Sequence, residues 1–187
     1  RRQRQMCIRD SDGAQIHDEV PNNCYFDWEL GDEKATSDAL SGAKKIVKLR
    51  VRNNRLVPNA MEPRCALAEF DNLDDSYTLH TTSQNPHLTR LVLAAFMFAI
   101  PESKLRVIAP DVGGGFGSKI YVYIEEAVCV WASKKVGRPV KWTADRTQAF
   151  LTDCHGRDHV NDVKLGLDEN NKIVGLRVDT VCNLGAY

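Results

Sequence analysis

The chain has 187 residues, with 25 Lys and Arg against 25 Asp and Glu, 43% hydrophobic and 27% charged residues. That length and composition suit one ordinary globular domain. Zero formal net charge argues against nucleic-acid or polybasic membrane binding, and the longest apolar run, Leu91 to Ile100, is about half of what a bilayer crossing needs.

Residues 1–11, Arg-Arg-Gln-Arg-Gln-Met-Cys-Ile-Arg-Asp-Ser, have no apolar period. They read as a sequence artefact outside the fold, with no apolar signal segment following them. Residues 12–31 are polar and turn-rich, with Tyr25, Phe26 and Trp28 near their end. They read as a linker from a missing upstream domain that lays aromatics on a neighbouring surface. Residues 32–187 then read as an incomplete domain. Thr36 or Ser37 is placed to cap a short helix ending near Lys44. Lys45 to Asn53 alternates apolar and basic residues, the pattern of a strand with one solvated face. Cys65 to Phe70 and Tyr77 to Thr82 form a hairpin around Asn72 to Asp75. Asn85 and Pro86 start a helix running to about Ala99, apolar enough to be packed on more than one side.

Leu105 to Ala109 reads as a buried strand stopped by Pro110. Gly113, Gly114, Gly115 and Gly117 then fall within five positions. A second helix is predicted over Ile120 to Val136, ended by Gly137 and Pro139. Val140 to Trp142 is a short strand and Asp145 to Leu151 a short helix. His159 to Leu167 and Ile173 to Asn183 make a long hairpin turning at Asp168 to Asn171. The fold class is therefore α+β: a mixed sheet, two main helices and a long hairpin. The cysteines at 7, 24, 65, 129, 154 and 182 contain no C-x-x-C pair. They read as reduced, small hydrophobes in a cytoplasmic protein.

A strand, a glycine-rich turn and a helix start can present backbone N–H groups to an anion or oxo group. The turn does not fit a nucleotide loop. A P-loop needs Gly-Lys-Ser/Thr in that order, and here Gly117, Ser118 and Lys119 run otherwise. A dinucleotide fingerprint needs a third glycine where Ser118 stands.

Ile108 to Lys119, with Ser83-Gln84-Asn85-Pro86-His87 and Asn59-Ala60-Met61-Glu62-Pro63-Arg64 upstream, closely resembles the molybdenum hydroxylase large subunits. This is the xanthine dehydrogenase, aldehyde oxidase and aerobic carbon monoxide dehydrogenase superfamily, and the resemblance is greatest to its carbon monoxide dehydrogenase-like bacterial branch. It covers roughly residues 20–187 and implies the first part of a molybdopterin-binding domain. It also implies an oxidoreductase that oxidises carbon monoxide, an aldehyde or an N-heterocycle with water as oxygen source. The cofactor implied is molybdenum-molybdopterin, in the cytosine dinucleotide form. FAD and 2Fe-2S iron–sulfur clusters would sit on partner subunits, a flavin medium and an iron–sulfur small subunit, in a dimer of heterotrimers.

The same resemblance assigns cofactor binding to Gln84, Gly114, Gly115, Phe116 and Gly117. The glutamine would donate to an oxygen ligand of the metal, and the Phe116 N–H would contact another ligand. A neutral amide and backbone N–H groups can stabilise an oxo group without adding charge. Glu62 and His87 are possible pocket residues, with an exposed turn and a helix-start packing role as their alternatives. In purine-oxidising members an acid follows Gly-Lys, where this chain has Ile120, so purines are disfavoured as substrates. No residue of the chain holds the metal directly or serves as catalytic base; the resemblance places that glutamate beyond Tyr187, so this segment alone is expected to be inactive and poorly stable. Glu125 and Glu126 read as a solvated helix face or subunit contact, and Asp153, His155, Arg157, Asp158 and His159 as a solvated hairpin edge. The competing functional reading is a non-enzymatic α+β module that binds a phosphate-bearing ligand at the glycine turn.

Overall fold

A computed structural model describes residues 18–24 and 27–183. Residues 1–11, and Tyr25 and Phe26 of the expected linker, lie outside them. The described part divides into two compact units, residues 54–157 and a unit built from the chain up to Asn53 and from Asp158 onward.

The larger unit holds the mixed sheet. Strands β2 (Cys65–Asp71) and β3 (Ser76–Thr81) form the expected hairpin. Strand β5 (Val140–Thr143) adds antiparallel to β2, and β4 (Leu105–Ile108) adds parallel to β3, giving the order β4-β3-β2-β5. The parallel step needs a crossover. Helix α2 (Pro86–Leu91) supplies it, with Asn85 Oδ1 accepting from Leu88 N and Pro86 in the first turn. The helix widens into a π-type turn over Val92–Met97 and ends at Phe98, before Ala99 at φ 52°. Contrary to the expectation of burial on several sides, only Leu93, Ala94 and Thr89 are buried, while Phe96 and Met97 are exposed.

Helix α3 (Ile124–Val136) lies across the same sheet and ends at Gly137, whose φ of 61° is the left-handed cap expected from sequence. Its start differs from the expected Ile120. Residues 118–120 make one 3-10 turn and Tyr121 to Tyr123 are extended. The cause is local: Glu126 Oε2 accepts from Tyr123 N at 2.9 Å, so the helix begins after Tyr123. The core between α2, α3 and the sheet is Ala66, Ala68, Leu79, Leu93, Ala94, Leu105, Ala127, Cys129 and Val130, with Trp142 and Val122 against it. Alanines at 66 and 68 let α3 sit close to β2. Helix α4 (Arg146–Thr152) is capped by Asp145, whose carboxylate accepts from Gln148 N at 2.7 Å.

In the other unit, β1 (Lys45–Asn53), β6 (His159–Leu167) and β7 (Ile173–Cys182) form an antiparallel sheet in the order β1-β6-β7. Helix α1 (Glu33–Ser41) packs on β6 and β7. Asp32 caps it, its Oδ1 accepting from Ala35 N at 2.8 Å, rather than Thr36 or Ser37, and it ends at Ser41 rather than Lys44. Gly166 and Gly175 face each other in register. Their missing side chains make the notch for Leu40; a Cβ on Gly166 would lie 3.0 Å from Leu40 Cδ2. The alternation in β1 gives no buried face: Ile46, Val47, Leu49 and Val51 are all exposed, because α1 covers β6 and β7 and leaves the edge strand bare.

Candidate molybdopterin-binding site

The site is built on three segments of the larger unit: the turn before β2, the turn after β3 and the glycine loop after β4. Ser83 and Gln84 leave β3 and approach the far end of the loop. Gln84 N donates to Lys119 O at 2.8 Å, and Gly117 N donates to Gln84 Oε1 at 2.9 Å. The second bond fixes the amide plane. It commits the oxygen inward, so the NH2 end is what Gln84 has left to offer a ligand.

The loop is shaped by three left-handed residues, Gly114 (φ 95°), Phe116 (φ 52°) and Gly117 (φ 95°). Such a φ costs a non-glycine residue about 1–2 kcal/mol, so the surroundings must hold Phe116 there. Phe116 is 76% exposed among the described residues. Gly115 is buried for a different reason. A Cβ on it would sit 2.2 Å from Gln84 Oε1 and 2.5 Å from Gln84 Cδ, so only glycine admits the glutamine. Gly113 is likewise closed, with Glu62 Cβ 2.6 Å from where its own Cβ would stand.

Four N–H groups of the loop are engaged within the protein. Gly113 N donates to Glu62 Oε2 at 2.8 Å, Gly114 N to Val112 O at 2.9 Å, Gly117 N to Gln84 Oε1, and Ser118 N to Gly115 O at 3.0 Å. Gly115 N and Phe116 N are adjacent donors with no acceptor in the protein among the described residues. Two such donors suit one oxygen. A phosphate nest needs several, and Lys119, the one cation in the loop, is turned inward. These facts count against the phosphate-module reading.

Glu62 and Lys119 lie behind the loop. Lys119 has only 1% of its side chain exposed, and its Nζ donates to Glu62 O at 2.8 Å and Glu62 Oε2 at 3.1 Å. Burial raises the Glu62 carboxyl, but the Gly113 N–H and the Lys119 ammonium outweigh it and hold it below its usual range. His87 stands exposed in the first turn of α2.

Sequence reading missed the ionic knot that joins β2, α3 and α4. The Arg64 guanidinium is buried. It donates to Asp153 Oδ1 at 2.6 Å, Glu125 Oε2 at 3.1 Å and Thr152 Oγ1 at 2.9 Å, and its Cζ lies 3.6 Å above the Tyr123 ring. Burial lowers the basicity of Arg64, yet Glu125 and Asp153 together raise it above its ordinary value. Asp153 is therefore a buried partner of an arginine, not part of a solvated edge. Among the described residues no group of three or more His, Cys, Asp or Glu is arranged to hold a metal ion. Glu126 is buried too, not on a wet face. Burial pushes its carboxyl up, against bonds from Thr81 Oγ1 and Tyr123 N. Parity was the available signal: Arg64, Ala66 and Ala68 share one face of β2, and Glu126, Val130 and Ser133 share one face of α3.

Residues 16–187 match the molybdopterin cofactor-binding domain family. The chain belongs to that family. It is 37% identical over 166 residues to the carbon monoxide dehydrogenase large chain of Hydrogenophaga pseudoflava, covering 89% of this chain and 20% of that protein. It is 33% identical over 150 residues to the nicotine 6-hydroxylase large subunit of Paenarthrobacter nicotinovorans, covering 80% of this chain and 18% of the relative. Among solved structures, a Cu,Mo-CO dehydrogenase in its carbon monoxide reduced state superimposes with a TM-score of 0.85 at 29% identity, over 95% of this chain and 24% of that one. The chain thus spans about a fifth of the length of these curated relatives. Within this molybdopterin cofactor-binding domain, the pre-shaped loop, the glycine cradle for Gln84 and the two unclaimed N–H groups fit a group that presents oxygen acceptors.

Proposed function

We propose that the protein carrying this segment is a molybdopterin-dependent oxidoreductase that oxidises carbon monoxide, an aldehyde or an N-heterocycle with oxygen taken from water. The observation that carries this reading is the pairing of Gln84 with Gly115. An amide is seated where any side chain at 115 would evict it, with its oxygen committed to Gly117 N. When bound, molybdenum-molybdopterin would accept the electrons of the oxidation. Gln84 and the N–H groups of Gly115 and Phe116 would hold the cofactor by neutral donors, which bind oxygen acceptors without changing the local charge. Gly114 and Gly117 keep the backbone in the conformation that aims those donors. Phe116, exposed beside them, would wall the substrate channel, and Ile120 offers no carboxylate to a purine.

The relatives' names support the oxidoreductase class and span two kinds of substrate, carbon monoxide and nicotine. The cytosine dinucleotide form of the cofactor, FAD and 2Fe-2S clusters on medium and small partner subunits, the dimer of heterotrimers and a cytoplasmic location belong to the same reading. So does a catalytic glutamate outside this segment, and with it the inactivity of residues 12–187 expressed alone. The test is a panel assay of the full-length protein with carbon monoxide, aldehydes and N-heterocycles, an artificial electron acceptor and 18O-labelled water. Label in the product of one class is expected. Turnover without incorporation of solvent oxygen would reject the reaction type.

A further inference from the structure

Lys119 presents an energetic puzzle. An ammonium with 1% of its side chain exposed has lost nearly all its hydration, a cost of several kcal/mol that an ion pair repays only with good geometry. A methionine would fill similar volume without that cost. The bonds Lys119 makes indicate what the charge does. It donates to both the carbonyl and the carboxylate of Glu62. That same carboxylate oxygen accepts from Gly113 N, and Glu62 N donates to Gly113 O at 3.2 Å. The first and last residues of the loop, Gly113 and Lys119, are therefore fastened to one residue. Gln84 fastens the stretch between them, through Gly117 N and Lys119 O. Between these fixtures Gly114, Gly115 and Phe116 form an arch containing two left-handed residues.

The turn that carries Glu62 is itself held from behind. Arg146 of α4 donates to Asn59 Oδ1 at 2.6 Å and to Met61 O at 2.9 Å. The clasp is thus anchored to a helix and does not float with the loop. An arch containing a strained phenylalanine would relax if either foot were released.

We propose that Lys119 and Glu62 are positioning residues: an ionic clasp that closes the 113–119 loop into its cofactor-holding shape before the cofactor arrives. Glu62 then faces the loop rather than the substrate. This rests on the reading of the loop as a cofactor cradle, and it deepens that reading by assigning preorganisation to a buried charge.

The experiment uses the full-length protein, prepared both with cofactor and from cells unable to make the pterin. Amide hydrogen exchange of residues 113–118 is measured in the cofactor-free form for wild type, Lys119→Met, Lys119→Arg, Glu62→Gln and Lys119→Met with Glu62→Gln. The clasp predicts exchange about tenfold faster in Lys119→Met and in Glu62→Gln, confined to the loop, and no further increase in the double variant, because both substitutions open one device. Lys119→Arg, which keeps the charge, recovers much of the protection that Lys119→Met loses. Simple volume filling predicts the reverse order. In the cofactor-replete preparations, pterin content falls in the same rank. Unchanged loop exchange in Glu62→Gln, or protection in Lys119→Met equal to wild type, overturns the proposal. Should Lys119→Met fail to fold, Glu62→Gln decides alone. A wild type without pterin, from cells able to make it, would instead sink the cofactor reading, and the exchange data would still judge the clasp.

Discussion

Gly115→Ala is the sharpest perturbation of this site. Gly115 is not among the left-handed residues, so alanine carries no backbone penalty there, and it lowers the entropy of the unfolded chain by about 0.4–1 kcal/mol. The new methyl would lie 2.2 Å from Gln84 Oε1, 2.5 Å from Cδ and 2.7 Å from Cγ, well inside ordinary contact at about 3.5–4 Å. Three side-chain atoms of one residue cannot yield by tenths of an ångström; Gln84 must leave. Its departure breaks the 2.9 Å bond from Gly117 N, a loss of about 0.5–1.5 kcal/mol. Gln84 is exposed and can swing into water, so overpacking is relieved cheaply. The two stability effects oppose one another and the net change is under about 1 kcal/mol. Cofactor retention is different, since the proposed function makes the displaced amide one of the cofactor's fixed donors. We expect the full-length Gly115→Ala protein to melt within a few degrees of wild type and to hold at least about tenfold less molybdopterin, the worth of one well-placed charge-assisted or oxo-directed hydrogen bond. The assays are differential scanning calorimetry and pterin analysis of the purified protein. Wild-type pterin content in Gly115→Ala would refute the steric argument.

Three further outcomes follow from the same geometry. Gly117→Ala meets no atom within 4 Å but must adopt φ 95°, so a loss of about 1–2 kcal/mol in thermal or denaturant stability is expected from backbone strain alone. Arg64→Ala leaves Asp153 buried and Glu125 half-buried without their shared partner, and a loss of about 3–5 kcal/mol is expected in a denaturant titration. Glu126 has its folded-state titration raised by burial. Its contribution is complete below its ordinary value and is lost as pH rises through the raised one, so Glu126→Gln should flatten the decline of stability across that window, read by melting temperature against pH.

Much of the fold was legible because its signals are local. Asn85 with Pro86 started a helix, Gly137 with Pro139 ended one, and both hairpins followed from alternation broken by Asp- and Asn-rich turns. The misplaced start of α3 has a reason no periodicity reveals: Glu126 caps its own helix by bonding Tyr123 N. The bare faces of β1 depend on where one short helix lands. In the site, the glycines stood out in the sequence and Gln84 only through the family resemblance, but why Gly115 must be glycine depends on an amide 31 positions earlier, a pairing only the structure shows. The Arg64 knot and the Lys119 clasp bring together charges separated by 57 to 89 residues. Sequence spacing is silent on such pairs, and the general expectation that charges face water pointed the wrong way for Glu126 and Asp153.

Molybdopterin is the group that Gln84 and the loop from Gly113 to Gly117 are proposed to hold. The most direct test is metal and pterin analysis of the full-length protein purified from molybdate-supplemented cells, beside Gln84→Leu. Stoichiometric molybdenum and pterin in the wild type, with a marked deficit in Gln84→Leu, is the predicted result. A wild type that carries neither molybdenum nor pterin would contradict the account.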